Sequence, residues 1–397
     1  MLIGLVGKPS SGKSTFFNAC TLMNVPMASH PFTTIKPNHG IGFVRVDCVD
    51  KEFGIQCTPR TGYCKNGTRF VPVELIDVAG LVPGASEGKG MGNQFLTDLS
   101  RADLLIHVVD ASGSANEKGE IVEEGTYNPI NDVKFLEKEI DAWFSGIVKK
   151  NLGKSTRIPT ESKTKLIELI SQNLSGIGAK QENIEKTINE LKLGEKKLNQ
   201  WTEEDIEDFS KTLRRNSLPI IIAANKCDKG KAKENIEEMK KEFPETLIVP
   251  CSAIAELALK KAAKDEAIDY SPGANEFKEL KELNEEQRKG LDYIKENVLQ
   301  KFGSTGVQEL LDKAVFEFLN YIAVFPGGTK GFIDSQGRIM PDCLLLKNHS
   351  TALDFAFKLH TDMGKGFIKA INVRTRQAVG REHELKNRDV IEIVFKA

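Results

Sequence analysis

The sequence predicts an α/β protein: a P-loop NTPase domain with a doubly wound, mostly parallel sheet, a helical insertion, and a smaller β-rich domain towards the C-terminal end. Three observations predict it. Gly7-Lys8-Pro9-Ser10-Ser11-Gly12-Lys13-Ser14 lies between an apolar run, residues 1–6, and a helix-like stretch, residues 15–22. Asp77-Val78-Ala79-Gly80 closes a second strand-like run, and Asn225-Lys226-Cys227-Asp228 closes a third. These motifs fall in order at predicted strand ends, where a doubly wound sheet places its ligand.

The first motif has the spacing G-x-x-x-x-G-K-S. Backbone N–H groups along Gly7 to Thr15, all but Pro9, which has none, can curl round phosphate oxygens, and the following helix adds the partial positive charge of its N-terminus. Lys13 is placed to reach the β- and γ-phosphates, and the Ser14 hydroxyl to ligate Mg²⁺. Residues 29–38 lack periodicity and hold a proline near each end, so they read as a loop. Thr33 and Thr34 are both candidates for a second Mg²⁺ hydroxyl, with Thr34 the choice for metal and catalytic roles.

Residues 40–49 and 69–76 read as neighbouring strands, with a hairpin signal at Asn66-Gly67. Asp77 can hold a magnesium water, and the Gly80 N–H can sense the γ-phosphate. Residues 81–96 carry four glycines between Gly84 and Gly92 and read as a switch rather than a stable helix. Leu104–Val109 is another buried strand, closed by Asp110.

From residue 114 to 216 charged helical patterns replace strands. Val133, Leu136, Ile140, Trp143, Phe144 and Ile147 recur at helical spacing, as do Leu166, Ile167, Ile170, Leu174 and then Ile206, Phe209, Leu213. Such stripes serve mutual packing or a partner-binding coiled coil. Thr202 before Glu203-Glu204-Asp205 is a helix cap, with Arg214-Arg215 in that helix's last turn.

Pro219–Ala224 restores the strand pattern and leads into the N-K-x-D motif. Asp228 can accept from the N1–H and exocyclic amine of guanine, Asn225 can contact N7 and the phosphate loop, and the Lys226 stem can cover the ring. Adenine lacks that donor pair. The strand Thr246–Pro250 ends at Cys251-Ser252-Ala253, where a backbone N–H of Ser252 or Ala253 can meet guanine O6.

Residues 260–318 again read as helical, with 307–319 amphipathic. From residue 322 the pattern is short strands around one helix. Residues 322–397 hold twelve Lys/Arg against eight Asp/Glu, with Arg374, Arg376 and Arg381 close together. A solvated face and a phosphate-backbone contact explain this equally well. The expected domains are 1–113 with 217–320 for the nucleotide-binding domain, 114–216 for the insertion and 321–397 for the C-terminal domain.

Composition bounds the function. A net charge of −1, with 40% hydrophobic and 28% charged residues, argues against a whole-molecule nucleic-acid or membrane field. Seven scattered cysteines fit a reduced, cytoplasmic setting. Cys57 and Cys64 with nearby Cys48 suggest part of a metal cluster, but no C-x-x-C pair or adjacent histidine completes it, so zinc is not expected. The chain opens on a core strand, which predicts no signal peptide, and no apolar run approaches a membrane span.

These motifs resemble the Obg group of GTPases, in its YchF-like branch and archaeal form. The resemblance rests on residues 81–96 after Asp77, on Pro31-Phe-Thr-Thr-Ile-Lys-Pro-Asn38, and on residues 354–367, which are similar to a TGS domain, a small β-grasp module. It spans essentially the whole chain and implies a G domain with a helical insertion, a TGS tail, and a ribosome or ribosomal RNA as partner; neither membrane nor DNA is expected. Three features depart from the branch. Asp228 stands where bacterial and eukaryotic members usually carry glutamate and accept ATP, which favours GTP. Ser10 stands where many relatives carry an asparagine that helps bind K⁺, which argues against potassium activation. No histidine follows the Asp110 strand, since none occurs between His107 and His349.

The expected activity is slow GTP hydrolysis to GDP and phosphate in a nucleotide-dependent switch, with chemistry from Lys13, Ser14, Thr34, Gly80 and Mg²⁺. Leu81, after D-x-x-G, cannot orient water as a glutamine does. The rival readings are an ATP-hydrolysing YchF-like regulator, a metabolic ATPase or small-molecule kinase, and an RNA-binding adaptor with a weakly active G domain.

Overall fold

A computed structural model describes residues 1–21, 39–78, 101–153, 162–329 and 331–396. Thr33, Thr34, Gly80, Leu81 and the two switch segments lie outside them. The chain forms two compact units: Met1–Ala19, Glu74–Leu257 and Tyr293–Gly306 make one, and Cys20–Val73, Ala258–Asp292 and Val307–Ala397 the other.

The strands of the N-terminal two-thirds are β1 (Leu2–Val6), β2 (His39–Asp47), β3 (Tyr63–Lys65), β4 (Thr68–Asp77), β5 (Leu104–Asp110), β6 (Ile220–Asn225) and β7 (Ile248–Pro250). In the first unit the end of β4, then β1, β5, β6 and β7, run parallel in that order. The registers pair Leu5 with Asp77, Val6 with His107, and Asp110 with Asn225, so the three motif-bearing strand ends come level. Every residue of β5 is buried, as expected of a parallel strand covered on both faces.

One face of this sheet and the insertion helices share a single core. Val6, Ile76 and Leu105 pack with Leu136, Ile140 and Phe144 of the helix Ile130–Leu152, and with Ile170, Ile184 and Phe209 from the helices that follow. The apolar stripes are therefore consumed in packing, and the coiled-coil reading lapses. Residues 114–216 lie with this sheet in the first compact unit. On the other face, Val109, Ile222 and Ala224 meet Ile236 and Met239 of the helix Ala232–Glu242. Thr202 and Asp205 form a reciprocal capping box on Glu203–Ser217, a feature that contributes about 1 kcal/mol to a helix.

In the second unit β3 and β4 form an antiparallel hairpin through Asn66 (φ 54°) and Gly67 (φ 80°), the paired left-handed residues of a type I′ turn. Tyr63 stacks on Phe70 with ring centroids 4.3 Å apart. Between the helices Ala253–Lys264 and Glu285–Ile294 the expected helical pattern gives way to two short paired strands, β8 (Ile268–Asp269) and β9 (Lys278–Glu279), because Ser271-Pro272-Gly273 favours a turn. The C-terminal strands are β10 (Tyr321–Pro326), β11 (Leu344–Lys347), β12 (Phe367–Asn372), β13 (Ala378–Val379) and β14 (Val390–Phe395). Their sheet order is β11-β10-β14-β12-β13, with β10 and β14 parallel and the helix Ala352–Leu359 packed on one face through Phe355. This is a β-grasp arrangement. Its arginines are not uniformly solvated, since the Arg374 Nε donates to Glu52 at 2.8 Å.

Candidate functional site

The phosphate loop joins β1 to the helix Lys13–Thr21. Its glycines are required by close approach. A Cβ on Gly7 would stand 2.6 Å from the Val108 carbonyl oxygen, and one on Gly12, at φ +88°, 2.3 Å from Asn225 Nδ2. Ser10 takes the left-handed conformation at φ +62°, which costs a non-glycine residue about 1 kcal/mol or more. Contacts from behind hold it there. Ser10 Oγ donates to the Gly119 carbonyl at 2.7 Å, and Lys8 Nζ donates to Ala115 O at 2.7 Å and pairs with Asp132 at 2.8 Å. The same ammonium lies 3.9 Å from the centre of the Tyr127 ring. The Lys8 side chain thus shapes the loop, leaving its backbone to face a ligand.

Lys13 Nζ contacts Asp77 Oδ1, joining the first two motifs. Ser14 is exposed at the first turn of the helix. Behind the loop lies a cavity of about 490 Å³, lined among the described residues by Gly7, Lys8, His107, Tyr127, Asp132 and Phe135. Burial, with the nearby Lys8 charge, lowers the His107 imidazole to about 3, so it is neutral here.

The third motif is tied to the first. Asn225 is buried; its Nδ2 donates to the Ser11 carbonyl at 2.9 Å, and its Oδ1 accepts from the Ala253 N–H at 3.0 Å. Lys226, at φ +62°, pairs with the buried Asp110 at 2.9 Å and reaches Ser114 Oγ at 3.1 Å, which aims its stem along the site. Asp228 Oδ1 accepts from Ser252 Oγ at 2.8 Å. Its other oxygen accepts from the Tyr293 hydroxyl at 3.3 Å, and burial followed by the Asp228 charge pushes that phenol's pKa up. The structure departs from expectation at the O6 contact. The Ser252 N–H is engaged by Thr305 O at 2.9 Å, and the Ala253 N–H by Asn225, so neither donor is free without rearrangement.

Residues 2–138 match the family described as 50S ribosome-binding GTPase, residues 223–327 the Obg-like GTPase YGR210-like, G4 motif-containing domain, and residues 334–395 the TGS domain. The ribosome-binding ATPase YchF of Mycoplasma genitalium is 28% identical over 92% of this chain and 86% of its own. An uncharacterized GTP-binding protein of Methanocaldococcus jannaschii is 46% identical over 100% of this chain and 99% of its own.

The chain belongs to the Obg-like GTPases, in their YchF-like branch. The crystal structure of a GTP binding protein from Pyrococcus horikoshii matches this Obg-like GTPase at a TM-score of 0.79 and 36% identity, covering 100% of both chains.

In this Obg-like GTPase the structure brings Lys13, Asp77, Asn225, Lys226, Asp228, Ser252 and Ala253 to the carboxyl ends of the parallel strands. Tyr293, Ser114 and the Lys8–Asp132 pair escape a reading by motif. Tyr293 sits in a charged helix 65 residues beyond Asp228, and nothing in its local pattern marks it.

Proposed function

We propose that this Obg-like GTPase binds GTP in preference to ATP, hydrolyses it slowly to GDP and phosphate, and uses the nucleotide to switch its affinity for the ribosome. The observation that carries the reading is the Asp228 carboxylate, fixed at one oxygen by Ser252 and presented at the strand ends beside Asn225. A carboxylate so placed accepts from paired donors on one base edge, and guanine has that pair where adenine does not.

The phosphate end supports the same reading. Lys13 rests on Asp77 and would turn to the β- and γ-phosphates once nucleotide enters. Ser14 and Asp77 supply a hydroxyl and a carboxylate, hard oxygen donors that suit Mg²⁺. When bound, the ion neutralises charge on the phosphates. Thr34 and Gly80 are proposed to complete the γ-phosphate contacts. Leu81 offers nothing to orient water, which accords with slow intrinsic turnover. The word ribosome-binding in the name of the M. genitalium relative, and the TGS domain, support the partner.

Calorimetry with GTP, GDP and ATP, single-turnover hydrolysis, and co-sedimentation with ribosomal subunits under each nucleotide state test the proposal. Equal GTP and ATP affinities would remove the base reading, and nucleotide-independent sedimentation would remove the switch.

A further inference from the structure

Away from the nucleotide site, Cys48, Asp50, Cys57 and Cys64 each bring one sulfur or carboxylate oxygen into a cluster whose atoms all lie within 4.8 Å of one another. No other group of three or more such side chains occurs among the described residues. Asp50, Cys48 and Cys57 are buried, and Cys64 is half-buried. We propose that these four residues form a structural zinc site.

The distances suit the ion. Cys48 Sγ and Cys57 Sγ stand 3.6 Å apart, and Cys64 Sγ lies 3.8 Å from Asp50 Oδ2. Tetrahedral zinc with Zn–S bonds of about 2.3 Å sets its sulfurs about 3.8 Å apart. Three sulfurs and one carboxylate oxygen, most of them buried, favour zinc over magnesium or calcium, which take all-oxygen shells. Binding exchanges the thiol protons for the metal, leaving three thiolates on it.

The surroundings orient the donors. The Asp50 carboxylate accepts from the Lys51 N–H at 2.8 Å and from the Cys57 N–H at 3.3 Å, so its direction is set by the loop that carries Cys57. Three thiolates and a carboxylate on a divalent ion leave net negative charge, and a buried cation lies beside them. Arg69 stands opposite Cys64 in the hairpin and is 1% exposed. It donates to Met340 O at 3.2 Å and Pro341 O at 2.6 Å, while its Nε has no partner among the described residues.

Such a site would act as a staple. Cys48 follows β2, Asp50 lies in the short helical turn Val49–Phe53, Cys57 lies in an irregular stretch, and Cys64 lies in β3. One ion would fasten a connection that has little regular hydrogen bonding of its own.

The test is metal analysis of full-length protein expressed with zinc, purified under reducing conditions and gel-filtered. Plasma mass spectrometry should find about one zinc per chain. Cys64→Ser and Cys57→Ser should each weaken zinc retention by at least about tenfold, while Cys20→Ser keeps it. Should the serine variants fail to fold, cobalt(II) in the wild-type chain reads the site directly, through thiolate charge-transfer bands and the strong visible bands of tetrahedral cobalt. Folded wild-type protein without zinc, zinc retained in a Cys57→Ser/Cys64→Ser double variant, iron in place of zinc, cobalt spectra without thiolate bands, or a Cys48–Cys57 disulfide in the non-reduced protein would each overturn the proposal.

Discussion

Ser252 Oγ donates to Asp228 Oδ1 at 2.8 Å, so the carboxylate proposed to read the base is oriented by a residue on a different strand end. Ser252 is fully buried, and its hydroxyl cannot turn to water instead. If Asp228 reads the base as proposed, selectivity depends on two residues acting together: the acceptor and the hydroxyl that helps fix its angle.

Replacing Asp228 with Glu extends the carboxylate by one methylene and withdraws it from Ser252. Discrimination between GTP and ATP should shrink by about 1 to 3 kcal/mol, the cost of a poorly paired polar group. Calorimetry with both nucleotides decides this; unchanged selectivity would mean that Asp228 does not read the base.

Ser252→Ala leaves the carboxylate in place with only the longer Tyr293 contact, at 3.3 Å, to orient it. GTP affinity should fall by about 1 kcal/mol, roughly fivefold, with ATP affinity little changed. An equal loss for both nucleotides would point to general damage to the loop rather than to lost orientation.

Lys13→Ala should abolish detectable hydrolysis and weaken triphosphate binding more than diphosphate binding, because the ammonium is matched to phosphate charge. The thermal midpoint should move little, since Lys13 contributes an ion pair to Asp77 and nothing to the core. Normal single-turnover rates in a folded variant would show the phosphate site to be elsewhere.

His107 predicts a pH dependence of stability. Its folded value of about 3 lies below the ordinary 6.5, so between these limits the unfolded chain takes up a proton that the folded chain refuses. The stabilisation is complete above the window and is lost as pH falls through it, with a limiting slope of about 1.4 kcal/mol per pH unit. Thermal midpoints taken from about pH 7.5 down to about pH 5 should fall less steeply in His107→Asn than in wild type. Parallel curves would show that His107 is protonated in the folded state.

Much of this molecule is written locally. The phosphate loop, its strand and its helix are determined by residues 1–22, because glycine spacing and apolar periodicity act over a few positions. The I′ hairpin follows from Asn66-Gly67, the capping box from Thr202 and Asp205, and the expectation of guanine selectivity from Asp228. Their order along the chain also dictates a doubly wound sheet with its ligand at the strand ends.

Other features depend on where the chain returns. That the stripes from Leu136 to Leu213 share one core with Val6 and Leu105 cannot be read from periodicity, which says that a helix has an apolar face but not what covers it. Tyr293 reaches Asp228 across 65 residues, and the Ala253 N–H is taken by Asn225 rather than left for the base. The gathering of Cys48, Cys57 and Cys64 is hidden by irregular spacing and by a fourth member, Asp50, that no cysteine or histidine pattern includes. Local propensity acts along the chain, whereas burial and charge pairing act through space, and only the folded path decides which distant groups share a low-dielectric interior.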